Sequence, residues 1–127
     1  MTVGQTAATA DAILDAEFGG SAYSGNAAVY LQLHTGDPGS DGTSNASAET
    51  TREELTFAGA SGGSNAASEV TWSSWTAGSE TISHVSIWDA DTSGNFICSG
   101  ALSASKAMTN GDSLGITVTA TQGPIAA

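Results

Sequence analysis

Residues 28–34 read AVYLQLH, and this run decides the fold. Val29, Leu31 and Leu33 fall on one side and Tyr30, Gln32 and His34 on the other, the period-two signature of a strand with one apolar face. The turn-forming run Thr35-Gly-Asp-Pro-Gly39 closes it. Further along, residues 81–88 (TISHVSIW) alternate in the same way, with Val85 and Ile87 set against His84, Ser86 and Trp88. The Asp89–Asn95 turn and a strand over 96–102 follow, which together predict a β-hairpin.

Weaker strand signals fill the rest of the chain. They cover residues 52–58 around Leu55 and Phe57, residues 69–75 with a break at Ser73-Ser74, and residues 114–118 after the Asn110-Gly-Asp112 turn. Residues 36–51 are small and polar and predict a long exposed loop, and residues 60–65 (ASGGSN) predict a flexible connection. Ahead of all these, residues 5–18 predict a short amphipathic helix. Ala10, Ile13, Leu14 and Phe18 recur at helical spacing, Thr6 or Thr9 is placed to cap it, and Gly19-Gly20 stops it. An isolated helix of this length is marginal in water, so its apolar stripe must dock on something. The expected architecture is all-β: an antiparallel β-sandwich of about six to seven strands with one short N-terminal helix. The 127 residues form one domain, divided into an N-terminal segment (1–18), the sandwich (19–123) and a tail (124–127).

Charge narrows the function. Thirteen acidic residues stand against two basic ones, Arg52 and Lys106, for a net charge of −11. Nucleic-acid affinity rests chiefly on Lys and Arg displacing counterions, so nucleic acid is excluded as a partner. An anionic membrane is excluded on the same ground, and no run is long and apolar enough to span a bilayer. No basic segment followed by an apolar stretch opens the chain, which predicts no secretory leader and synthesis in a cytoplasm. The aromatic residues lie mostly in or beside the predicted elements and are expected to form the core. So small a core predicts stabilisation by association with further copies or a larger assembly.

No catalytic motif emerges, and no cofactor is expected. The single cysteine, Cys98, excludes an internal disulfide and reads as a small apolar strand residue. Asp89, Asp91 and Asn95 offer oxygens in a glycine-containing turn, a weak metal candidate. They lack the acid at the twelfth position of a calcium loop and sit between strands; turn chemistry alone accounts for them. His34 and His84 can pair across neighbouring strands, but without a further ligand they read as surface or partner-contact residues. Arg52 with Glu53 and Glu54 reads as a local salt-bridge patch. Trp72, Trp75 and Trp88 read as core or interface, with a sugar-stacking platform as the alternative.

The order of these motifs resembles small structural proteins of tailed-bacteriophage virions. The resemblance is carried by Val29-Tyr-Leu-Gln-Leu-His-Thr-Gly-Asp-Pro-Gly39, the Arg-led segment 52–57, and the Asn-x-x-x-x-Val-Thr-Trp pattern over 65–72. It continues through Thr-Ile-Ser-His-Val-Ser-Ile-Trp-Asp over 81–89, Gly94-Asn-Phe96, and Asn-Gly-Asp-Ser-Leu over 110–114. It extends over nearly the whole chain, which departs from the pattern in its acidity and in the Glu53-Glu54 pair. What it implies is a noncatalytic virion component. The first expectation is a capsid decoration (cement) protein on the outer surface of the head, bound to the major capsid protein and to copies of itself, with a trimer plausible by analogy. A minor tail or tail-fibre protein is the alternative, and a carbohydrate-binding β-sandwich module is the alternative from another class. The contact residues expected are Ile13, Leu14 and Phe18 of the helix and Gly36, Asp37 and Pro38 of the loop after His34, since both elements gain order on docking.

Overall fold

The computed structural model describes residues 3–122, so the tail expected over 124–127 lies outside the described residues. In chain order the elements are β1 (Gly4–Gln5), α1 (Ala7–Phe18), β2 (Val29–His34), β3 (Glu53–Leu55), β4 (Ser64–Ala66), β5 (Val70–Trp72), β6 (Glu80–Trp88), β7 (Phe96–Met108), β8 (Leu114–Ile116) and β9 (Thr119–Thr121). All strand pairs are antiparallel. One five-stranded sheet runs β1-β7-β6-β2-β3, and two ribbons, β4-β9 and β5-β8, complete the fold. The all-β reading holds, with nine strands among the described residues where about six to seven were expected.

The apolar face read from residues 28–34 is the face that builds the core. Leu31, Leu33, Ile82 and Val85 of the large sheet meet Trp72, Leu114 and Ile116 of the β5-β8 ribbon, with Trp75 and Met108 closing the end. Leu31, Leu33 and Ile82 have no accessible surface at all. The Asn110–Asp112 turn fixes the Trp75 corner: Trp75 N–H donates to Asp112 O (2.9 Å) and Gly111 N–H to Trp75 O (2.8 Å).

Besides Gln5, which pairs with Cys98 in β1 instead of opening the helix, three segments depart from expectation. Ser64 and Asn65, at the end of the stretch read as flexible, belong to β4 because the far end of the chain supplies a partner, Ser64 to Ala66 pairing with Thr121 to Thr119. Strand β7 runs to Met108, beyond the Leu102 boundary, since Ala107 and Met108 pair with Thr81 and Glu80. Within that pairing Ile82 faces Lys106 and His84 faces Ala101, so residues 102–105 stand against Ser83 alone. A bulge of that size bends its strand and sharpens the local twist.

The third departure is the segment after β2. Residues 36–51 are not a loose loop: the first half folds back over the second face of the sheet. Thr35 N–H donates to Asn45 O (2.8 Å), Ser44 N–H to Pro38 O (2.9 Å) and Ser47 N–H to Leu33 O (3.0 Å). Glu80 fastens the far end, its carboxylate accepting from the Ser47 hydroxyl and from Ala48 N–H. Gly42 is buried with φ +74°, and a Cβ built there would stand 2.6 Å from the Phe96 ring. Gly42→Ala therefore combines left-handed strain with overpacking and is expected to cost about 1–3 kcal/mol, read as a lowered urea midpoint.

Candidate functional site

The polar face of the strands at residues 28–34 and 81–88 carries most of the chain's chemistry, and the folded-back segment covers it. Cα register sets His34 opposite His84 and Gln32 opposite Ser86. His34 is completely buried, which corrects its reading as a surface or partner-contact residue. The pattern of alternation could not show this, because what covers the face is a segment with no periodicity of its own.

Three side chains there form one directed chain of hydrogen bonds. His34 Nδ1 lies 2.8 Å from Ser44 O, an acceptor only, so Nδ1 carries the proton and donates. Nε2 is then an acceptor, 2.7 Å from the Ser86 hydroxyl, which donates to it. Ser86 Oγ in turn accepts from the Trp88 indole N–H at 2.8 Å. Serine, histidine and an acceptor behind the ring resemble the parts of a nucleophilic site. Here Ser86 and His34 both have 0% exposure, and the indole N–H occupies the serine oxygen. The arrangement serves as an internal strut joining β2, β6 and the covering segment.

Burial lowers the His34 pKa, with His84 and Arg52 adding to the effect and the bonds to the Ser44 and Asn45 backbone opposing it. The folded state therefore holds the ring neutral, while the unfolded chain takes up a proton near pH 6.5. Between those two values the unfolded state binds more protons, so stability rises with pH. We expect the urea midpoint to fall as pH drops from 7.5 toward 5, and this slope to flatten in His34→Gln. The depressed pKa values of Asp41 and Asp89 act only at lower pH, where carboxylates titrate.

Arg52 lies on the same face, and its role differs from the local salt-bridge patch expected with Glu53 and Glu54. Its Nε–H donates to Gln32 Oε1 (2.9 Å) and its Nη1 to Ala90 O (2.8 Å) and Ser93 O (2.7 Å). The guanidinium carbon stands 4.2 Å from the centre of the Trp88 ring. This one side chain fastens the 89–95 turn to the sheet. Within that turn the Asp89 carboxylate accepts from Asn95 N–H (2.6 Å) and from Asn95 Nδ2 (2.8 Å). Asp89 and Asn95, two of the three metal candidates, thus bond each other, and Asp91 is exposed. No group of three or more potential metal ligands occurs among the described residues.

The tryptophans offer no stacking platform. Trp72, Trp75 and Trp88 are 4%, 1% and 7% exposed, and each indole N–H has an acceptor. Of the expected contact residues, Pro38 is buried and Gly36 and Asp37 are half-buried within the covering segment. Its second-face burial leaves Pro38 no surface to offer.

The helix is the opposite case. Thr6 caps it, its Oγ1 accepting from Thr9 N–H, and Gly19 ends it. No residue of α1 is buried. Ile13 is half-buried, Leu14 is 54% exposed and Phe18 is 82% exposed, so Phe18 lies outside the core it was expected to join, as does Tyr23. A second open surface lies between the large sheet and the β8–β9 segment, a groove of about 570 Å³. Sequence reasoning missed it because its walls come from strands on opposite sides of the core.

No helix among the described residues is long and apolar enough to cross a membrane. No curated protein matches the chain. A family model described as "Podophage GP4 fiber I protein gp80" matches residues 4–123, nearly the whole chain and all of the fold described above. The chain belongs to that family, and so to the structural proteins of the bacteriophage virion.

Proposed function

We propose that the chain is a noncatalytic building piece of a virion fibre, acting by adhesion to its neighbours in the particle. The observation that carries this reading is the match to a fibre family over residues 4–123. Two physical features support it. The polar constellation with the most catalytic look is sealed and stitched into the sheet, and among the described residues the exposed Leu14 and Phe18 of the helix and a mostly apolar groove stand open. A net charge of −11 is also repelled by packaged DNA, which suits a position outside the shell.

Decoration of the head's outer surface, bound to the major capsid protein, is the other placement that this charge suits. Antibody–gold labelling of intact virions separates the two. Label on fibres is the expected result, label distributed over the head lattice replaces the fibre placement with decoration, and absence from purified virions overturns both.

A further inference from the structure

Among the described residues two apolar surfaces stand open, and their charges are complementary. On α1, Leu14 and Phe18 are four residues apart and share a face. That face is bordered by Asp11, Asp15 and Glu17, and the helix carries no basic residue. Covering it takes an apolar trough with positive charge at its margin. The groove between β6–β7 and β8–β9 is walled by Val85, Ile87, Leu102, Leu114, Ile116 and Val118, and Lys106 lines it as well. The chain has only two Lys and Arg residues, and Arg52 is taken up by Gln32, Ala90, Ser93 and Trp88. Lys106 is thus the basic side chain left to meet an acidic partner, and it stands where the acidic helix would lie.

The helix does not reach its own groove. Thr6 N–H donates to Ile97 O (2.9 Å), and β1 is paired to Cys98 and Ser99, which ties the start of the helix to the β7 edge. From there Ala8, Thr9 and Ala12 share a shallow depression with Ser40, Asp41 and Asp89, which belong to the segments covering the polar face. The groove is walled by the opposite, core-side face of the same sheet, the face of Val85 and Ile87. Strand β7 is the place where another copy can approach. Beyond Ser99 no described strand pairs with its outer edge, and the bulge at 102–105 lies along the groove.

We infer that α1 of one copy seats Leu14 and Phe18 in the β6–β8 groove of a second copy, with Lys106 facing the helix carboxylates. Such a contact joins two different surfaces, so it repeats from copy to copy and yields either a closed ring or a chain of subunits. It goes beyond the fibre assignment and does not depend on it.

The lone cysteine makes the contact testable, since Cys98 lines the groove. In the full chain carrying Leu14→Cys, mild oxidation is expected to give disulfide-linked dimers and higher species on a non-reducing gel, with wild type remaining uncrosslinked. Loss of both thiols within a single chain would mean that the helix folds onto its own groove, and two unreacted thiols would mean that the surfaces do not meet. Either result overturns the inference.

Sedimentation supplies the second arm. Wild type is expected to self-associate, and Leu14→Asp combined with Phe18→Asp to weaken association at least tenfold. The near-ultraviolet circular dichroism of the buried tryptophans should stay unchanged. Lys106→Glu should weaken association as well. Wild type sedimenting as a monomer at its highest soluble concentration overturns the contact and leaves the virion placement standing.

Discussion

His34→Ala is expected to destabilise the fold by about 3–5 kcal/mol, measured by urea denaturation at pH 7.5. Two costs combine. The imidazole has no accessible surface, so removing it opens a cavity between the sheet and the 36–47 cover. It also strands the Ser86 hydroxyl hydrogen in a buried site and removes the donor from Ser44 O, which belongs to an exposed residue. Ser86→Ala should cost less, about 1–3 kcal/mol, since it removes little volume and leaves the Trp88 N–H and His34 Nε2 unpaired. The double variant should then fall short of the sum, because a bond already broken cannot be broken again. Strict additivity would mean that the His34–Ser86 bond contributes nothing and that the ring acts by volume alone.

The same face explains what was legible in the sequence. Leu31 and Leu33 could be assigned to the core from alternation alone, because a strand must send alternate residues to one side. The partners of His34 could not. Alternation places His34, Ser86 and Trp88 on the polar side, and a polar side is ordinarily taken as wet. Burial here comes from a stretch of Gly, Ser and Asp that turns back through Asn45, itself at φ +52°. Nothing in its periodicity signals a cover, although the buried Gly42 and Pro38 are its footprint.

The short strands failed for a related reason. Strand β4 is Ser-Asn-Ala and β9 is Thr-Ala-Thr; neither has an apolar pattern, and each is a strand because the other is opposite it. The helix is the informative contrast. Its C-terminal end at Phe18 and its glycine stop were readable and its cap was narrowed to Thr6 or Thr9, while its start was not, since Gln5 pairs in β1. No residue of α1 is buried, so the chain's own core does not take up the stripe.

Arg52→Ala is expected to cost about 2–4 kcal/mol and to loosen the 89–95 turn before the sheet itself gives way. The guanidinium reaches across three separate parts of the chain: the Gln32 side chain of β2, the turn carbonyls of Ala90 and Ser93, and the face of Trp88. Burial lowers its pKa and the nearby Asp91 and Asp89 raise it, but a guanidinium stays charged throughout. Its loss therefore leaves those carboxylates without their cation and the two carbonyls without a donor. The turn depends on this bracing because Ser93 and Gly94 both sit at positive φ, a conformation that its own Asp89–Asn95 bonds must otherwise hold alone. Amide exchange at Asn95 and Asp89 should accelerate in Arg52→Ala while that of Leu33 stays slow. Arg52→Lys is the sharper test. An ammonium restores the charge but cannot present a planar fork to Gln32 and the turn while stacking on an indole. If charge were what mattered, Lys would restore wild-type stability. The bonds described here require instead that it recover less than half of the loss.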